Sequence, residues 1–245
     1  MIKTAMLFLI LGICSAGTAN AAELFEKDVF KTTTGNLEIT FIGHGSLMMK
    51  FGGKVIHVDP YSKLADYGKL PKADLVFITH EHQDHLDLAA LKHVTTARTV
   101  VVLTEKCAEK VTNGIIMKNG DVRKVEGITI EAVPAYNIVH KRDNGQPYHP
   151  KGIGNGYVLT FADKRLYIAG DTENVPEMSL LKRIDIAFMP MNLPYTMTPE
   201  MVVDAARTFR PKVLYPYHFG ETDTGRIVES LEENRDIEVR IRRMK

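Results

Sequence analysis

The fold turns on the stretch Leu75-Val76-Phe77-Ile78-Thr79-His80-Glu81-His82-Gln83-Asp84-His85. Its first half is a short continuous apolar run, the pattern of a β-strand buried on both faces. Its second half sets His80, His82, Asp84 and His85 within six positions. A helix would not aim all four side chains at one place. An irregular loop leaving a rigid strand can. Imidazole and carboxylate together suit zinc and its neighbours. The alternative is a polar loop that happens to be rich in histidine. Three of the nine histidines in 245 residues fall in this run beside two carboxylates, which argues against chance.

Outward from this strand, Leu37-Glu38-Ile39-Thr40-Phe41-Ile42 alternates apolar and polar residues, as a half-buried strand does, and Gly43 stops it. Lys54-Val55-Ile56-His57-Val58 reads as a strand after the turn Gly52-Gly53 and is closed by Asp59-Pro60. Further strands are expected over 99–103, 128–133, 157–161, 165–169, 184–189 and 213–216. Helices are fewer: 87–93, a segment opened by the N-cap Thr198 with Pro199 at its first position, and 225–234. Strands in two groups with interspersed helices predict an α/β fold with mixed sheets. No internal repeat, low-complexity tract or long linker interrupts the chain.

The composition, 44% hydrophobic and 25% charged, is that of an ordinary globular protein. The first residues differ. Lys3, the apolar stretch Ala5-Met6-Leu7-Phe8-Leu9-Ile10-Leu11 and Ala19-Asn20-Ala21 form a basic region, a short apolar region and an A-x-A site. Residues 1–21 therefore read as a cleaved signal peptide, leaving 22–245 as one exported domain, periplasmic or secreted. The apolar stretch is far short of the ~20 residues that span a bilayer. A buried N-terminal helix or an uncleaved anchor is the alternative. Bulky Ile13 before Cys14 disfavours a lipid-modified cysteine.

Cleavage removes one charge, Lys3, so the formal net charge of +1 becomes zero. No basic excess remains to attract a polyanion, which weighs against nuclease readings. Cleavage also leaves Cys107 as the single cysteine, so no intramolecular disulfide can form.

His80-x-His82-x-Asp84-His85 after an apolar strand resembles the signature of the metallo-β-lactamase fold superfamily. Tyr167-Ile168-Ala169-Gly170-Asp171-Thr172 resembles the strand end that supplies its bridging aspartate. Tyr215-Pro216-Tyr217-His218-Phe219-Gly220 resembles the segment of its last histidine. Ile42-Gly43-His44-Gly45-Ser46, Val58-Asp59-Pro60, Pro134-Ala135-Tyr136-Asn137 and Tyr195-Thr196-Met197-Thr198 are similar to a branch that includes ascorbate-6-phosphate lactonase-like hydrolases. The resemblance implies an αββα sandwich of two mixed β-sheets flanked by helices. It also implies two divalent ions, zinc first, with manganese or iron(II) as alternatives. His80 and His82 would hold one ion, Asp84, His85 and His218 the other, and Asp171 would bridge both. Asp84 and Asp171 are then the catalytic carboxylates. The third histidine of the first ion is sought after residues 128–133, where the choice lies between His140 and His149. His149-Pro150-Lys151-Gly152, just before the next strand, is favoured.

Asp59 either orients a ligand histidine or is a turn residue before Pro60. His44 either faces the pocket or is structural. Asn137 is an orienting or substrate-facing residue rather than a ligand, and Tyr195 either lines the cleft or is an exposed loop tyrosine. His57 and His93 are read as structural or surface residues. Asp163, Asp185 and Cys107 carry no functional signal.

The implied chemistry is hydrolysis of a small ester, lactone, amide or phosphoester by metal-activated water, without a side-chain nucleophile. A true β-lactamase is compatible with export. The alternatives are a di-iron redox protein, whose members carry glutamate at the place of His82, and a non-catalytic module with a structural metal. Structural zinc sites are closed and usually cysteine-rich, unlike this one. The expected partner is a small-molecule substrate, not nucleic acid, with no transmembrane span in the mature chain.

Overall fold

The apolar run is a central strand, and its two faces serve different cores. Leu75 and Phe77 of β5 (Leu75–Phe77) face the space between two sheets. Val76 and Ile78 point the opposite way, into a cluster with Ala90, Leu91 and Val94 of helix α1 (Leu88–Val94). The computed structural model describes residues 25–245, so the expected signal peptide lies outside the described residues.

The first sheet runs in chain order: β1 (Lys27–Thr32), β2 (Gly35–Gly43), β3 (Ser46–Phe51), β4 (Lys54–Val58), β5, β6 (Val100–Leu103) and β7 (Ile115–Ile116). β1 to β4 pair antiparallel and β4 to β7 parallel. The second sheet repeats this plan with β8 (Val122–Val125), β9 (Ile128–Ala135), β10 (Gly154–Phe161), β11 (Lys164–Ile168), β12 (Ile186–Pro190), β13 (Val213–Tyr217) and β14 (Glu238–Val239). β8 to β11 pair antiparallel and β11 to β14 parallel. Each sheet is mixed and seven-stranded.

Inward side chains of both sheets, among them Phe41, Leu47, Phe77, Tyr157, Leu166, Phe188 and Tyr215, fill one buried core. The outer face of the second sheet packs on α2 (Pro199–Phe209) and α3 (Gly225–Leu231) through Val202, Ala206, Phe209, Ile227 and Leu231. In α2 the buried Val202, Ala205, Ala206 and Phe209 recur at helical spacing, which is why this segment covers the sheet as a helix. Thr198 caps it, accepting from Met201 N–H at 3.2 Å, and Asp87 caps α1, accepting from Ala89 N–H at 2.8 Å. Helices thus lie on the outer faces of two stacked sheets, the expected αββα sandwich.

This topology brings chemistry to one end of the sandwich. The C-terminal ends of β2, β5, β11 and β13 and the loop before β10 meet there, as ligand-bearing loops do at the carboxyl ends of parallel strands. No helix among the described residues is long and apolar enough to cross a membrane.

Candidate metal centre

Two groups of donor atoms form at that end. His80, His82, His149 and Asp171 make the first, and His44, Asp84, His85 and His218 the second; within each group the donors lie within 4.8 Å of one another. Asp171, after β11, stands between them. Its Oδ2 lies 3.3 Å from His149 Nε2 and 3.6 Å from His218 Nε2. Its Oδ1 lies 3.4 Å from His85 Nε2. Asp84 Oδ2 is 3.4 Å from His218 Nε2 and 3.0 Å from His44 Nε2.

The imidazoles are oriented from behind. His85 Nδ1–H donates to Asp59 Oδ2 at 2.8 Å. Thr79 donates twice to the same carboxylate, from N–H at 2.8 Å and from Oγ–H at 2.6 Å. Thr79 Oγ in turn accepts from His80 Nδ1–H at 3.1 Å. Fully buried Asp59 therefore steers His85 directly and His80 through Thr79. His149 Nδ1–H donates to Asn137 Oδ1 at 2.6 Å. In all three rings Nδ1 is the bonded nitrogen, which turns Nε2 inward.

These inward atoms have no hydrogen-bond partner. His80 Nε2, His85 Nε2, His218 Nε2 and Asp171 Oδ1 are buried and unpaired. An unsatisfied buried polar atom costs about 1–3 kcal/mol, so several converging ones fit a cation site rather than a tolerated defect. The electrostatics agree. Burial alone would lower the proton affinity of His85, yet Asp171 and Asp59 outweigh it and push its pKa up to about 10. A field that holds a proton on that ring will equally hold a cation. Burial would likewise raise Asp171 and Asp84. The surrounding His218, His85 and His149 instead keep Asp171 well below the usual carboxylate range, and the nearby His218 ring together with the hydrogen bond from His44 does the same for Asp84. The donor set fits two divalent ions.

Close packing demands small residues here. A Cβ at Gly45 would lie 2.9 Å from His85 Cε1, and one at Gly170, where φ is +65°, would lie 2.9 Å from Asn155 O.

Each residue singled out in the sequence has a place. His140, the other candidate for the third histidine, lies outside both donor groups, with Nδ1 2.8 Å from Glu173 Oε1. His44 stands against His218, ring centroids 3.6 Å apart, and belongs to the second donor group. Exposed Tyr195 lines a cleft of roughly 360 Å³ together with His82, Asp84, His149, Asp171 and His218. Sequence reasoning missed Thr79, whose neighbours drew the attention, and Glu173, which follows Asp171-Thr172 and anchors residues 137–140. It also missed Arg142 and Tyr148, which line the cleft. An acid two positions after a proposed ligand, just past an apolar strand, was the available signal for Glu173.

A family model described as the beta-lactamase superfamily domain matches residues 38–218. A UPF0173 metal-dependent hydrolase of Pelotomaculum thermopropionicum is 30% identical over 220 residues, covering 84% of this chain and 96% of the relative. A crystal structure from Parabacteroides distasonis, described as a candidate metal-dependent hydrolase, aligns with a TM-score of 0.86 at 50% identity. It covers 90% of this chain and all of that one (100%). Igni18, a metallo hydrolase of the archaeon Ignicoccus hospitalis, aligns with a TM-score of 0.71 at 25% identity, covering 85% and 95% of the two chains.

Proposed function

The chain belongs to the beta-lactamase superfamily, and from that membership we propose that it is a hydrolase with a dinuclear metal centre that cleaves a small ester, lactone, amide or phosphoester. His80, His82 and His149 would hold one ion, Asp84, His85 and His218 the other, with Asp171 between them. Zinc is the ion best matched to three imidazoles and a carboxylate. The observation that carries the proposal is the convergence of buried, unpaired Nε2 atoms on both sides of Asp171.

Two divalent ions held there supply Lewis acidity toward a carbonyl or phosphoryl oxygen and an activated water near neutral pH. The residues of the chain contribute placement. Asp59, Thr79 and Asn137 fix the tautomers of His85, His80 and His149. His44 holds Asp84 in place. The cleft above is large enough for a small molecule.

Metal analysis of reconstituted protein, with a hydrolysis screen over lactones, esters, phosphodiesters and β-lactams, tests the proposal. Two ions per chain are expected. Asp84→Ala should lower hydrolysis by at least ~100-fold, the scale of losing a metal that polarises the substrate. Less than one ion per chain, or hydrolysis unchanged in Asp84→Ala, rejects it. Export belongs to the same proposal and rests on the three-part pattern of residues 1–21. The mass of the mature protein should correspond to a chain beginning at Ala22, and a cytosolic protein retaining residues 1–21 rejects export.

A further inference from the structure

The segment 137–149 walls the cleft, and it is anchored from beneath. Glu173, 1% exposed, accepts the backbone N–H groups of Ile138 and Val139 at 2.7 Å and of His140 at 2.6 Å. It also accepts from Asn137 Nδ2 at 3.1 Å. At the tip, Lys141 and Pro147 form an antiparallel bridge, and Arg142 N–H donates to Gln146 O at 2.8 Å.

This frame sets the side chain of Arg142. Its guanidinium carbon lies 5.1 Å from the centroid of the Tyr148 ring, and its Nη2 donates to Tyr148 O at 3.3 Å. Tyr148 packs edge-on against Tyr195, centroids 4.9 Å apart. Arg142 and both tyrosines line the cleft that the proposed ligands share. No carboxylate among the described residues lies within 4.0 Å of the guanidinium. Histidines aside, Arg142 is the one side-chain cation in the cleft lining among the described residues, and the carboxylates there, Asp84 and Asp171, are engaged with the centre. Two divalent ions held by these residues would leave the cleft positive, and Arg142 would add to that field.

A pre-oriented guanidinium without a carboxylate partner is a fork for a planar or tetrahedral anion. We propose that Arg142 is a specificity-determining residue that binds an anionic group, carboxylate or phosphoryl, carried by the substrate away from its scissile bond. The hydrolase reading is needed only to say where that bond lies. Tyr148 and Tyr195 provide flat apolar flanks for the part between the two ends.

Calorimetric titration of the metal-loaded protein tests this with three probes: butyrate, glutarate and 3-phosphonopropionate. One carboxylate of each can meet the centre, and the latter two offer a second anion. The wild-type protein should bind glutarate, 3-phosphonopropionate or both at least ~10-fold tighter than butyrate. Arg142→Met keeps the cover over Tyr148 and should abolish that advantage while leaving butyrate within about twofold; Arg142→Lys should retain part of it. A loss confined to glutarate assigns a carboxylate, and one confined to 3-phosphonopropionate a phosphoryl group. The proposal is overturned by a wild type with no preference for the second anion, by a preference that survives in Arg142→Met, or by an equal loss for butyrate. A parallel assay with 4-nitrophenyl butyrate and mono-4-nitrophenyl glutarate separates the two readings. Absence of hydrolysis of either ester, with the binding preference intact, counts against the hydrolase and leaves the role of Arg142 standing.

Discussion

Asp59 takes no place among the donor atoms, yet both halves of the centre lean on it. Asp59→Asn would turn an amide donor either toward the backbone N–H of Thr79 or toward Thr79 Oγ–H and His85 Nδ1–H together, which share Oδ2. In the first placement a backbone donor loses its acceptor; in the second His85 would have to move its proton to Nε2, the atom that faces inward. The expected result is a 10–100-fold loss of metal affinity, read by chelator competition; wild-type affinity in Asp59→Asn would disprove the linkage. The sequence left Asp59 open between a turn residue and an orienting one, and it is both: its φ is +43° and its carboxylate is saturated by donors 20 or more residues away. Such pairings are set by the sheet register and cannot be read from spacing. His57, read as either structural or a surface residue, is buried on β4; its Nε2 donates to Pro71 O at 3.0 Å. Burial pushes its pKa down to about 4, the bond to Pro71 offsetting only part. The unfolded chain therefore binds the proton first. The stability contributed by neutral His57 is complete above about pH 6.5 and is lost as pH falls toward 4. His57→Gln keeps a donor for Pro71 without titrating. Its unfolding free energy should vary with pH less steeply across that window, by up to ~1.4 kcal/mol per pH unit. Urea unfolding of both proteins in the same metal state, at pH 4.5 and pH 7, checks this, and equal slopes would count against it.

Among the elements, those with a strong period were legible and those shaped by context were not. The runs at 75–79 and 184–189 read as strands because alternate residues feed two different cores, inner Leu75, Phe77, Ile186 and Phe188 and outer Val76, Ile78, Ala187 and Met189. β3 went unread because Ser46-Leu47-Met48-Met49-Lys50-Phe51 lacks β-branched residues and pattern alike. The edge strands β7 and β14 are two residues long and exist only through their neighbours. The four clustered candidates at 80–85 were found because one loop carries them, whereas Asn137 and His149 needed the loop that joins them across 12 positions. Glu173 is the keystone of that loop. Glu173→Ala removes the acceptor for three consecutive N–H groups and should destabilise the protein by about 2 kcal/mol, water filling part of the gap. Amide exchange at 138–140 should accelerate while that of β10 holds. An ion at the proposed His149 site should be lost to chelator before one at the proposed His85 and His218 site. Uniform exchange across the chain, or simultaneous loss of both ions, would argue that the loop is not a separate unit.

At the scale of the whole molecule, the proposed ligands belong to both sheets. His80, His82, Asp84 and His85 follow β5 of the first sheet; His149, Asp171 and His218 flank β10, β11 and β13 of the second. Bound ions would tie the sheets across one end of the sandwich. No disulfide does so, since Cys107 is the free, buried cysteine among the described residues. One polar link elsewhere is Asp28 of β1. Its Oδ1 and Oδ2 both accept from Arg242 Nη2 at 2.9 Å, and it also receives Tyr215 of β13. An ion that binds the folded state alone stabilises it by about 2.7 kcal/mol at a free concentration of 100 Kd. For a domain of this size each kcal/mol moves the melting temperature by roughly 2–4 °C. Chelation should therefore lower it by about 10–20 °C if both ions leave. His149→Ala, which disrupts one site, should show about half of that drop, and Asp171→Ala, which touches both, almost none because little remains to remove. Asp28→Ala should lower the melting temperature by a similar amount with and without chelator, since its contacts do not involve the centre. Calorimetry paired with metal analysis reads all four. A melting temperature unmoved by complete metal removal would mean that ions do not tie the sheets together.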